Sequence, residues 1–365
     1  MLTDIDILDG HVHCFKRELW PRTLESLRYT GARQFALLDI GNDDAGIDPA
    51  RHQLLNALRV KREKPDEAFV FGGLDFAAMR SVPLERQLQD LIDRGCDGLK
   101  LLVGKPDRRK TVGVPLDDEI FRPMLELAER TQFPILWHVG DPPEFWSEQT
   151  VPQWARDRGW WYDDTHPPKS QIDAEIARVF ERHPRLRLIL PHFFFLSDRL
   201  DDAARLLETY PSFMLDLAPG VEMFHNFSAR RVDARRFFMR FADRIIFGAD
   251  FGMTCGWGMD RGMMIRRFLE TDDVFEVPDD PAMTPDDRPP LRGIALPREI
   301  LRLIYADNFH RVVGERPREL HAPRVEVRVT ARSASRDEAN AASTPPVARP
   351  SPHVESSPRS TGKRQ

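Results

Sequence analysis

The sequence predicts a (β/α)8 barrel, and three observations carry that expectation. Eight short apolar runs alternate with stretches of helical periodicity, the pattern of a parallel sheet with crossover helices. The runs are continuously apolar, as strands covered on both faces are. Four histidines and one aspartate stand at the C-terminal ends of the first, fifth, sixth and eighth runs, and in a closed barrel these ends share one mouth. An open doubly wound sheet is the alternative. It would usually show a Gly-rich turn opening a helix after the first strand, and none is present.

In order, residues 4–10 form the first expected strand, which runs into His11 and His13. Side chains two apart on a strand share a face, so these two imidazoles can aim at one point and suit a divalent metal such as zinc. Pro21 fits the first turn of a helix over 20–29. The second apolar run is 34–40, and a loop at 42–44 and a helix from Pro49 to about Arg62 follow it. Strand three covers 68–75, and the amphipathic helix 83–94 closes at Gly95. Strand four covers 97–103 and carries Lys100. A basic loop, 105–110, precedes a helix over 117–130. Strand five, 133–138, ends on His138. The long loop from Gly140 to about Lys169 is rich in Trp, Asp and Pro, and loops of that length are usually functional or mobile. A helix at 170–183 leads to strand six, 186–192, which ends on His192. Ser197 is placed to cap a helix over 197–210. Strand seven is 213–217, the next helix 229–241, and strand eight, 244–250, ends on Asp250. Helix 258–269, the acidic Pro-rich loop 272–290 and closing helices at 297–306 and 308–313 complete the barrel domain, residues 1–316. The Ser-, Pro- and Arg-rich residues 317–365 cannot bury enough apolar surface to fold and are read as a disordered tail.

Composition narrows the function. With 53 basic and 58 acidic residues in 365, the mild net charge of -5 argues against nucleic acid and gives no reason to propose an anionic membrane partner. No run approaches a membrane span. The three cysteines, Cys14, Cys96 and Cys255, are far apart and odd in number, so no disulfide framework is expected. No leader pattern precedes the first strand, so the expectation is a soluble cytoplasmic protein.

The motifs Asp9-Gly10-His11-Val12-His13, Pro134-Ile135-Leu136-Trp137-His138-Val139-Gly140-Asp141, Leu188-Ile189-Leu190-Pro191-His192 and Ile246-Phe247-Gly248-Ala249-Asp250 resemble those of the amidohydrolase superfamily. They are most similar to the amidohydrolase-related branch that includes aminocarboxymuconate-semialdehyde decarboxylase and related decarboxylases, hydrolases and lactonases. Residues 305–314 are similar to that branch's closing helix. The resemblance implies one divalent metal, zinc or alternatively manganese, on His11, His13, His138 and Asp250. It places His192 beside the metal-bound water or substrate, and it implies a homodimer, since barrels of this branch are often dimers. Some branches bridge two metals with a carboxylated strand-four lysine. Here a single metal is expected, with Lys100 contacting substrate or held in a buried ion pair.

A metal lowers the pKa of bound water toward about 7 and so supplies hydroxide at neutral pH. Asp250 then suits a general base and acid, and His192 can orient water or carry a proton. The first expectation is a hydrolase of a small ester, lactone or amide. The second is a non-oxidative decarboxylase of a small unsaturated or aromatic carboxylic acid. The third is a non-catalytic barrel used as a binding module. In each case the expected partner is a small molecule, a carboxylate among them. Asp216, at the end of strand seven, and Trp137, next to His138, are read as substrate contacts. Trp146, Trp154, Trp160, Trp161 and Tyr162 are read as a lid over the mouth.

Overall fold

A computed structural model describes residues 2, 4–13, 17–42, 49–220, 222–252, 260–277 and 289–321. The tail beyond 321, Cys14 and Cys255 lie outside the described residues, as do residues 43–44 of the expected loop, the start of the helix expected at 258 and the middle of the loop 272–290.

The described strands of the main sheet are all parallel: β1 (Ile7–His13), β2 (Ala32–Leu38), β3 (Ala68–Gly72), β4 (Gly98–Gly104), β5 (Ile135–Val139), β6 (Leu188–Leu190), β7 (Met214–Asp216), β8 (Ile245–Ile246) and β9 (Phe251–Gly252). β8 lies within the expected eighth strand, 244–250, and β9 begins one residue beyond its expected end. β8 pairs with β7 through Leu215 and Ile245, whereas β9 pairs with β1 through Val12 and Phe251. Between them Gly10 N donates to Phe247 O at 2.9 Å. The sheet therefore closes on itself, and the barrel leaves β1 and β8 no open edge.

The helices of the outer ring are α1 (Trp20–Thr30), α2 (Pro49–Glu63), α3 (Leu84–Asp93), α4 (Pro106–Val112), α5 (Arg122–Thr131), α6 (Gln153–Asp157), α7 (Lys169–Arg182), α8 (Leu200–Thr209), α9 (Met223–Ala229), α10 (Arg231–Arg240) and α11 (Arg261–Glu270). α12 (Arg298–Arg302) and α13 (Asn308–Val313) are joined by a π-helical turn, Leu303–Asp307, so the two expected closing helices form one continuous element. The basic stretch expected as a loop is helical in α4, because Pro106 starts a turn that Gly113 stops with its left-handed backbone. Ser197 does not cap α8; that helix starts after Arg199, and the Ser197 hydroxyl accepts from Asn226 Nδ2 at 3.0 Å.

Two layers of core follow from the strand alternation. Leu8, Phe69, Phe71, Leu136, Ile189 and Ile246 fill the barrel's interior, closed at the bottom by Phe309 and Val312 of α13. Phe309 packs edge-on against Phe69 with 5.1 Å between ring centroids. Burying a ring of this kind contributes about 1.5–3 kcal/mol. The opposite strand faces pack against the helices, and Trp137 lies there, fully buried. Trp137 was expected at the substrate. It sits one residue from His138, and successive strand residues face opposite ways, so the histidine's inward direction sends the indole outward.

The chain stays bonded past the expected boundary at 316. Arg318 N donates to Asp97 Oδ1 at 2.7 Å, and the Arg318 guanidinium lies 5.0 Å from the Phe133 ring centroid. Among the described residues no helix is long and apolar enough to cross a membrane.

Candidate metal centre and its cavity

β1 is not a regular strand. Its pairing with β2 slips between Asp9 and Val12, the mark of a β-bulge. Leu8 and His11 are three apart, which in a flat strand would put them on opposite faces. The bulge resets the phase, so Leu8 fills the interior below while His11 and His13 face the mouth above. Gly248 makes room for this arrangement, because a Cβ there would lie 2.9 Å from the His11 Cβ. Asp9 supports the bulge. Its Oδ1 accepts from His11 N at 3.1 Å and Ala249 N at 3.0 Å, tying the two arms of the site together. Burial pushes the Asp9 carboxyl up to about 7.

His11, His13 and Asp250 are buried, and their ligand atoms all lie within 4.8 Å of one another. Asp250 Oδ1 is 3.4 Å from His11 Nε2 and 3.5 Å from His13 Nε2. Bonds of roughly 2.1 Å around a tetrahedral ion would separate the ligand atoms by about 3.4 Å, so the spacing fits a metal of zinc's size. His138 and His192 adjoin this group. His192 Nε2 is 3.2 Å from His138 Nδ1, and the His11 and His192 ring centroids are 5.6 Å apart.

Each ring is held by a partner on its far nitrogen. His11 Nδ1 meets Asp216 Oδ2 at 2.8 Å, and His13 Nδ1 meets Leu38 O at 3.2 Å. His138 Nε2 meets Gly140 O at 3.0 Å and Asp141 Oδ1 at 3.3 Å, and His192 Nδ1 meets Ala218 O at 3.2 Å. All these partners are acceptors, so each far nitrogen carries the proton and each near nitrogen is left with a lone pair. Burial lowers the affinity of all four rings for a second proton, which keeps them neutral. Lone pairs of neighbouring rings then face one another and a carboxylate. A cation is the species that reconciles such a set, so the residues fit a divalent metal.

Asp216 was expected to touch substrate, but both its oxygens are committed elsewhere. Oδ2 holds His11, while Oδ1 accepts from His192 N at 2.9 Å and Ala218 N at 3.0 Å. It orients two of the site's histidines. Lys100 does reach the cavity and is buried there. Burial brings its ammonium down to about 8, opposed by the charges of Asp250 and Asp216.

The cavity above these groups has a volume of about 310 Å³. Lys100, Lys105, Arg108 and Arg261 bring positive charge to it, and Phe145, Trp154, Trp160 and Phe195 give it an apolar wall. Arg261 Nη1 lies 3.6 Å from Asp250 Oδ2. Of the expected lid residues, Trp154 and Trp160 line the cavity and Trp161 points to solvent. His192, Phe193, Phe194 and Phe195 all have positive φ, and so does Asp250. Side chains other than glycine rarely adopt this conformation. It recurs where a structure forces groups into a site, and here it turns His192 and Phe195 toward the cavity.

Sequence reasoning did not single out Asp9, Lys105, Asp141 or Arg261. Asp9 and Asp141 lie two and three residues from histidines of the site, and that adjacency was the available signal. Arg261 begins a helix and carried no local signal.

A closed (β/α)8 barrel with imidazoles and a carboxylate at the C-terminal mouth defines a metal-dependent enzyme class. The family profile for amidohydrolases matches residues 29–314, and the chain belongs to that family of metal-dependent enzymes. The match starts after His11 and His13, which are located here by their geometry. No curated protein matches the chain in sequence. Among solved structures it is similar to an uncharacterised TIM-barrel protein from Bordetella bronchiseptica, with a TM-score of 0.53 and 14% identity over 85% of this chain and 99% of that one. It is similar to 2,6-dihydroxybenzoate decarboxylase from Rhizobium, with a TM-score of 0.52 and 15% identity over 86% and 99% of the two chains. For 5-carboxyvanillate decarboxylase from Sphingomonas paucimobilis the TM-score is 0.50, with 14% identity over 86% and 99%. At these identities the likeness is one of fold.

Proposed function

We propose that the protein is a hydrolase of a small ester, lactone or amide that carries a carboxylate, with the metal held by His11, His13, His138 and Asp250. The observation that carries this reading is the polarity of the cavity floor. Hydrogen bonds to Asp216, Leu38, Gly140 and Ala218 leave the four histidines presenting acceptors to the cavity. With the lone pairs of His11, His13 and His138 spent on the metal, His192 Nε2 and the Asp250 carboxylate remain as acceptors, which suit the removal of a proton from water better than the delivery of a proton to carbon. A bound zinc or manganese ion would lower the pKa of water and polarise a carbonyl. Asp250 accepts the proton from water and returns it to the leaving group. His192, fixed by its bond to Ala218 O, orients the water through Nε2. Lys100, Arg108 and Arg261 draw the substrate's carboxylate in, while Trp154, Trp160 and Phe195 exclude bulk water and cover a flat apolar portion.

Lys100 supports a second reading, a non-oxidative decarboxylase. An ammonium brought down to about 8 can protonate the substrate carbon as the carbon–carbon bond breaks and CO₂ leaves, and it regains its proton from solvent. Two of the fold relatives are named as decarboxylases.

The test is a panel of small lactones, amides and unsaturated or aromatic acids given to protein loaded with zinc or manganese. Ring or amide opening without gas release is the expected result. CO₂ release would replace the first reading with the second, and no turnover of any compound would refute both.

A further inference from the structure

Asp141 joins three elements. Its Oδ1 receives His138 Nε2 at 3.3 Å. Its Oδ2 accepts from the Lys105 ammonium at the start of α4 and from the Tyr162 hydroxyl. Lys105 Nζ also sits 4.1 Å from the Trp160 ring centroid. Tyr162 and Trp160 end a segment with an apolar cluster of its own. Phe145, Val151, Ala155 and Tyr162 pack together with Trp146, Trp154 and Trp160, apart from the barrel's interior. This segment supplies part of the cavity's apolar wall.

We infer that Tyr162 and Lys105, acting through Asp141, are positioning residues for His138 that tie the aromatic segment 143–162 to the metal centre. The inference rests on the reading of His138 as a ligand. Asp141 does for His138 what Asp216 does for His11. Together with Gly140 O, 3.0 Å from the same nitrogen, it holds the proton on the far nitrogen and turns the near nitrogen's lone pair to the cavity. The difference lies in what holds the carboxylate. Asp216 is held by backbone N–H groups, whereas Asp141 is held by two side chains, one of them on the covering segment. The orientation of His138 and the seating of the segment are therefore coupled, and the coupling runs both ways.

The experiment uses the full chain with zinc and cobalt(II) as probes. Tyr162→Phe keeps the ring, which packs 4.8 Å from Trp146, and removes only the hydroxyl. Asp141→Asn replaces the carboxylate with an isosteric amide. Loss of a partner that orients a ligand costs about 10–100-fold in metal affinity, expected here for Asp141→Asn, with a smaller loss for Tyr162→Phe. The visible spectrum of the cobalt form should shift in both. Hydrogen exchange of residues 143–162 should slow on metal binding in the parent protein and much less in Tyr162→Phe. A role confined to packing would lower thermal stability with and without metal alike, leaving affinity, spectrum and metal-dependent exchange unchanged. That result would overturn the inference. If the parent protein binds neither zinc nor cobalt, the metal reading itself fails.

Discussion

Asp216→Asn separates orientation of a ligand from the fold that surrounds it. The amide is the same size as the carboxylate. Its oxygen can keep both backbone donors, His192 N at 2.9 Å and Ala218 N at 3.0 Å. Its nitrogen then stands where Oδ2 stood, 2.8 Å from His11 Nδ1, and must donate. His11 can accept that bond only by moving its proton to Nε2, the atom that faces Asp250. A ring that offered a lone pair to the cavity would now offer an N–H. We expect zinc affinity to fall by about 10–100-fold, or about 1.4–2.8 kcal/mol, with little change in melting temperature. Asp216→Ala should behave differently. It strands two buried N–H groups at about 1–3 kcal/mol each, so the fold itself weakens. Competition titration against a chromophoric chelator measures the affinity, and nitrogen NMR of the imidazoles reads the tautomer. Wild-type zinc affinity in Asp216→Asn, with the His11 proton still on Nδ1, would refute the reasoning.

Other consequences are as direct. Lys61 Nζ is buried against Asp97 Oδ2 at 2.5 Å and Gly95 O at 2.7 Å, so Asp97→Ala leaves a buried ammonium without its counter-charge. Urea unfolding should show a loss of about 3–5 kcal/mol, and a loss under 1 would contradict the pairing. Asp39 is pushed by burial up to about 6, against the opposing bonds from Gly73 N and Gly41 N. A raised carboxyl contributes stability that is complete below its unfolded value near 4 and is lost as pH rises through about 6. The stability difference between wild type and Asp39→Asn should therefore change by up to about 3 kcal/mol from pH 4 to pH 7, whereas a flat difference would exclude the shift. A Cβ on Gly98 would lie 2.3 Å from the Phe71 ring inside the barrel. Gly98→Ala should cost about 1–3 kcal/mol, read as a lower melting temperature, and an unchanged melt would show that Phe71 can move aside.

The barrel was legible because its signals are local. Eight apolar runs, spaced by helical patterns, report strands covered on both faces, and those strands are present. The ends of the short strands were harder to place. β6 and β7 are each three residues long, where apolar runs of five to seven suggested more. The flanking residues are apolar because they are buried, not because they pair in the sheet. The histidines and Asp250 were legible for the same local reason: each ends its run, and the ends of parallel strands meet. Trp137 and Asp216 were misjudged as substrate contacts because position near a strand end does not say which way a side chain points or what already occupies it.

By itself, then, the sequence determined the strand and helix alternation and the polar residues that end the strands, and its count of eight favoured a closed barrel over an open sheet. All of these follow from periodicity and chain order. Tertiary structure decided the rest. The bulge at Asp9 and Val12 turned His11 and His13 inward together. A carboxylate 205 residues away chose the tautomer of His11, and a carbonyl 26 residues away chose that of His192. Hydrogen-bond partners of this kind depend on distances in space, and no local pattern of residues encodes them.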